Sequence, residues 1–154
     1  MTPDEVDAFL ASQNKTLPAQ PAWRDDYPRA GERRCYLPVA VNGRIAGPHV
    51  EVTVYLNNPE FLVINLLVPS CVMRLCMTGT HRDRARRTMI GAPHIHRWER
   101  NRPKGMRLPK ELLHAEYIPS VPRDRSAAFA WFLGEAHIDL PSRPMEWPER
   151  SELF

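Results

Sequence analysis

The sequence predicts an α+β fold: an antiparallel meander of about five strands packed against one long C-terminal helix and shorter helices. Three observations carry that reading. Residues 35–77 divide into runs with a two-residue period, separated by turn residues. Asn42-Gly43, between two such runs, suits the positive φ angles of a tight primed hairpin turn. From Asp124 the period changes to that of a helix, with Phe129, Phe132, Leu133 and Ala136 on one face and Trp131 widening it.

Taken in order, the chain opens with a short helix. Thr2 can cap it, Pro3 fits the first helical position, Glu5 completes a capping box, and Val6, Phe9 and Leu10 form its apolar face. Residues 14–32 carry three prolines and no period, so an irregular connection anchored by Trp23 and Tyr27 is expected. "CYLPVAVNGRIAG" then reads as a hairpin, with His49 as a turn residue after Gly47-Pro48. "HVEVTVYL" alternates, as a strand with one wet side does, whereas "EFLVINLLV" is apolar almost throughout, as a strand covered on both faces is. "CVMRLCM" alternates again. "TGTHRDRARRTMIGAP" reads as an exposed loop, "PHIHRWE" as a strand, and Lys110 to Glu116 as a short helix before the longer one. A proline-rich acidic tail covers 141–154, with Trp147 and Phe154 as anchors. One domain over 1–154 is expected, with helices on one sheet face and the other face open to a partner, a second copy included.

Composition narrows the function classes. The N-terminus "MTPDEVDAFL" is acidic where a signal peptide is basic, and no apolar run approaches the ~20 residues of a membrane helix, so a cytoplasmic protein is expected. Three cysteines, Cys35, Cys71 and Cys76, without a CxxC pair, read as reduced, buried side chains. Glycine-rich phosphate loops and G-x-S-x-G elbows are absent, which argues against nucleotide-hydrolysing and serine-hydrolase chemistry. Charge is concentrated: His81 to Arg107 holds nine Lys or Arg against two acids, a local charge of +7, and the remainder sums to −4.

That basic segment supplies the candidate site. Arg82, Arg84, Arg86, Arg87, Arg97, Arg100, Arg102, Lys104 and Arg107 can grip phosphates through bidentate forks, with Trp98 stacking on an unpaired base. His94 and His96, two apart on a strand, point the same way. With His81 they are the candidate catalytic residues, one imidazole taking a proton from a ribose 2′-hydroxyl while another group protonates the leaving oxygen. The plain alternative is that these rings only hydrogen-bond backbone or carboxylate groups. A metal reading joins His94 and His96 to His81 or His114. Glu116 on the same short helix as His114 could approach that face, and His137 suits a helix C-terminus.

The second half, "PHIHRWERNRP", then "YIPSVPRD" and "AAFAWFLGEAHI", resembles small uncharacterised proteins carried by bacterial phages, prophages and plasmids. The resemblance spans roughly residues 90 to 140 and brings no catalytic residues. It implies a setting of phage–host conflict, toxin–antitoxin or anti-defence, in which small basic proteins bind or cleave RNA or inhibit a host machine. The leading expectation is therefore a protein engaging nucleic acid, RNA rather than duplex DNA because no recognition helix is evident, with no cofactor implied and metal-independent endoribonucleolytic strand cleavage by the His pair left open as an option. The alternatives are a non-enzymatic module docking its basic face on an acidic protein surface, and a small His-ligated metalloprotein.

Overall fold

In the computed structural model, which describes residues 1–83 and 87–149, the chain forms a seven-stranded antiparallel sheet, a separate two-stranded hairpin and three helices. Helix α1 (Pro3–Ala11) opens with the predicted capping box: Thr2 Oγ1 accepts from the Glu5 amide at 3.3 Å, and Glu5 Oε2 from the Thr2 amide at 2.6 Å. Strands β1 (Lys15–Thr16), β2 (Glu32–Val41), β3 (Arg44–Tyr55), β4 (Asn58–Val68) and β5 (Ser70–Cys76) follow. The β2–β3 turn uses Asn42 and Gly43 at φ of 50° and 77°, the primed geometry the dipeptide predicts. Strand β6 (His81–Asp83) pairs only with β7 (Thr88–Ile90). Strand β8 (His94–His96), helix α2 (Trp98–Asn101), strand β9 (Glu116–Tyr117) and helix α3 (Arg125–Glu135) complete the order. In the sheet the strands run β1-β2-β3-β4-β5-β8-β9, so β8 joins the edge of the meander beside β5.

Register divides the sheet into two unlike faces. Cys35 lies opposite Val52, Val52 opposite Ile64, Ile64 opposite Leu75, and Leu75 opposite Ile95, an apolar row with every member buried. Phe129, Phe132 and Leu133 of α3, with Val6 of α1 and Trp98 of α2, belong to the same core. Each such side chain withdrawn from water contributes about 1.5–3 kcal/mol. Lys15 is also fully buried; its ammonium donates to the carbonyls of Phe9 at 3.1 Å and Leu10 at 2.7 Å. An interior charge thus adds to the hydrogen bonding of the last-turn carbonyls of α1, where the Phe9 carbonyl also accepts from the Ser12 amide at 3.1 Å.

Several elements differ from expectation. The sheet has seven strands where about five were expected, because short segments add at both edges: Lys15–Thr16, inside the supposedly irregular 14–32 connection, pairs with β2, and Glu116–Tyr117 with β8. The C-terminal helix is not long but 11 residues. His137 turns left-handed at φ 53° and the Ile138 amide bonds back to Leu133 O at 2.9 Å, which closes the helix one residue before Ala136, the last of its predicted apolar face. Lys110 to Glu116 is not helical despite good helix formers. The Asn101 side chain accepts from the His114 amide at 2.8 Å and donates to the His114 carbonyl at 3.1 Å, holding that backbone extended. The expected loop at 78–93 contains the β6–β7 hairpin, and His49 lies within β3 opposite Pro38 and Leu67. The anticipated Phe154 anchor lies outside the described residues, whereas Trp147 stacks on Trp23 at 5.8 Å between ring centroids.

Candidate functional site

Opposite the core, the second face carries a polar row. Tyr36 faces Glu51, Glu51 faces Asn65, Asn65 faces Arg74, and Arg74 faces His96, across five neighbouring strands. These side chains are linked: Asn65 Nδ2 donates to Glu51 Oε1 at 2.9 Å, and Arg74 Nε donates to Asn65 Oδ1 at 2.7 Å. Asn65 is buried, and its amide fixes Arg74 while the rest of the guanidinium stays exposed. In the next row Cys76 faces His94.

His81 closes the arrangement. Its ring lies edge-on to His96 at 4.6 Å and tilted to His94 at 5.9 Å, and His94 and His96 are 5.4 Å apart. The three candidate catalytic histidines therefore do come together, because β8 presents two of them on one face and the β6–β7 hairpin folds the third over that face. The face expected to be open is covered at this end. His81 Nε2 lies 3.0 Å from Leu113 O and His94 Nδ1 3.2 Å from Gly91 O. A carbonyl only accepts, so each bond places the ring proton on the named nitrogen and leaves the other nitrogen as an acceptor.

Burial sets the electrostatics. His94 and His96 are each 3% exposed. Burial lowers the His96 pKa to about 4, reinforced by the Arg74 guanidinium and by repulsion from any proton on His81 or His94, and opposed by a hydrogen bond to the Leu112 backbone. His94 is lowered for the same first reason, against the Gly91 carbonyl. Burial also raises the Cys76 thiol to about 11. Two neutral imidazoles and a thiol bring their donor atoms within 4.8 Å of one another. Among the described residues, Nδ1 of His96 is buried with no hydrogen-bond partner. The third member of this group, Cys76, was not singled out in the sequence, since the pairing that sets it against His94 joins segments separated by the hairpin.

A cleft of about 660 Å³ opens beside the cluster, lined by His81, Arg82, Arg87, Glu111, Leu112 and Leu113. A smaller space of about 230 Å³ reaches Arg74, His96, Cys71 and Lys110 from the same side. Arg74, Arg82, Arg87 and Lys110 are all exposed. Arg74 and Lys110 are cleft residues the sequence reading missed, for Arg74 stands alone in an apolar strand and Lys110 outside the basic run.

The rest of the predicted interface is arranged differently. Trp98 is 3% exposed and its indole N–H donates to Asp7 Oδ1 at 2.6 Å, because the strand stops at His96 and α2 carries the ring into the core. It has no free face for a base. Arg97 pairs with Glu135 and Glu116, and Arg102 with Asp4 and Asp7, which anchors this segment to helices α1 and α3 rather than to a ligand. Arg100, Lys104 and Arg107 are exposed but line neither cleft beside the cluster. Arg84 and Arg86 lie outside the described residues. His114 stands 3.8 Å from Asp83 instead of joining the cluster, Glu116 pairs with Arg97, and His49 stacks on Tyr36. Comparisons with family models, curated proteins and solved structures find no match to this chain.

Proposed function

We propose that the protein engages a phosphate-bearing strand, RNA in preference to duplex DNA, in the cleft over the histidine cluster, in the phage–host conflict setting that its second half suggests. One observation carries the reading: Arg82 and Arg87 stand with His81 in a single cleft, and Arg74 and Lys110 border the adjoining space. Arginine forks and a lysine around a concave site suit the backbone of an unpaired strand. Helices α1 and α3 are packed into the core and α2 spans four residues, so the described residues offer no helix for a major groove. Strand cleavage belongs to the proposal with His81 in the acid–base role. Its ring is half-buried and lines the larger cleft, whereas His94 and His96 are each 3% exposed and His96 borders only the smaller space.

The alternative, docking on an acidic protein surface, draws on Met106, 72% exposed between exposed Lys104 and Arg107. Binding of a labelled single-stranded RNA, followed by anisotropy at several salt concentrations, separates the two. With three or four phosphate contacts in the cleft, log affinity should fall with log salt at a slope of about −2 to −3. The double change Arg82→Gln/Arg87→Gln should weaken binding by about tenfold and flatten the slope by about 1.4. The triple change Arg100→Gln/Lys104→Gln/Arg107→Gln should cost less than about threefold. The reverse ranking would move the interface to the Met106 surface and reject the cleft.

A further inference from the structure

We infer that Cys76, His94 and His96 form a binding site for one transition-metal ion of the zinc class. The inference goes beyond the RNA reading and does not rest on it, since metal can be measured with no nucleic acid present. Its geometry follows from register. Cys76 and His94 are direct partners on β5 and β8, and His96 follows two residues along on the same face. All three donor atoms lie within 4.8 Å of one another. Donors so placed all lie within about 2.8 Å of some common point, so bonds of about 2.0–2.3 Å need movements of no more than about 0.8 Å.

An independent observation points to a missing partner. His96 is 3% exposed, and among the described residues its Nδ1 has no hydrogen-bond partner. A buried ring nitrogen left without a partner is unfavourable, and native interiors rarely tolerate one. An aliphatic side chain would fill the same place without that cost. A metal bond would satisfy the nitrogen. His94 already has the supporting contact of a metal-bound imidazole: Nδ1 is committed to the Gly91 carbonyl at 3.2 Å, which orients the ring and leaves Nε2 as ligand.

The donor set also selects the ion. One thiol sulfur and two imidazoles are soft to borderline ligands, suited to zinc, cobalt or copper and unsuited to magnesium or calcium, which prefer oxygen. The guanidinium of Arg74 beside His96 disfavours a cation, and the thiolate formed when Cys76 gives up its proton on binding offsets it. Three protein ligands leave a coordination position open, and the His81 ring stands beside the set, at the cleft.

The test uses the full chain expressed with zinc in the medium, desalted into metal-free buffer and examined by elemental analysis. The wild type should hold about one zinc per chain, and Cys76→Ser and His94→Gln should each lower the retained metal about tenfold or more. Reconstitution with cobalt(II) should give the visible absorption of a tetrahedral site with a thiolate charge-transfer band that Cys76→Ser removes. Cys76→Ser is nearly isosteric, and circular dichroism verifies its fold. If it does not fold, the wild-type stoichiometry and charge-transfer band decide alone. A folded wild type that takes up less than about a tenth of an equivalent of zinc, cobalt or copper overturns the site. So does a folded variant that retains as much metal as the wild type.

Discussion

Trp98→Ala should lower the stability of the fold by about 3–5 kcal/mol, a large part of the roughly 5–15 kcal/mol available to a domain. The ring is 3% exposed within the core, and its N–H is the tie to Asp7 at 2.6 Å. Trp98→Phe keeps most of the apolar volume and loses the hydrogen bond, for which about 1–2 kcal/mol is expected. Urea unfolding followed by circular dichroism measures both. Neither loss should appear in ligand binding: folded Trp98→Phe should bind single-stranded RNA as the wild type does. A large fall in affinity with unchanged stability would return Trp98 to the interface.

Acidification should destabilise the metal-free protein well before ordinary carboxylates are protonated. Burial holds His96 down to about 4, whereas an imidazole in an unfolded chain titrates near ~6.5. Between those values the unfolded chain takes up a proton that the folded protein refuses. Stability is therefore complete above pH ~6.5 and falls as the pH drops towards ~4, by up to about 3 kcal/mol from this residue. His94, lowered in the same direction, adds to the loss. Urea midpoints measured in chelator between neutral and mildly acid pH should fall more steeply for the wild type than for His96→Gln, which cannot titrate. Equal falls in the two proteins would mean that His96 carries its proton freely in the fold.

How much of this was legible in the sequence depended on how local each signal was. The capping box at Thr2 and Glu5 and the Asn42-Gly43 turn are set within a few residues, and each appears as read, whereas the alternation from Val50 holds only to Tyr55, with Thr53 buried on the side read as wet. The capacity of His94 and His96 to share a face was likewise a local property of a strand. Tertiary contacts decided the rest. Asn101 holds the His114 backbone extended where propensity favours a helix, and Asp4 and Asp7 draw Trp98 and Arg102 towards α1 from about ninety residues away. Charge density alone therefore overestimates the number of unpaired basic side chains, since Arg97 and Arg102 are paired with acids distant in sequence. Cys76 illustrates the opposite error. Its place beside His94 depends on β8 pairing with β5 across an intervening hairpin, and that pairing leaves no periodic mark in the sequence.

In the function we propose, the ligand binds where the β6–β7 hairpin folds His81 over His94 and His96, and not along the basic run from Arg97 to Arg107. Titration of isotopically labelled protein with a short single-stranded RNA, followed by amide and histidine-ring NMR, tests it most directly. The largest shifts should fall on the His81 ring, on Arg82 and Arg87, and on residues Lys110 to Leu113, with His49 and His137 unmoved. Shifts confined to residues 100–107, with the His81 ring unaffected, would contradict the account.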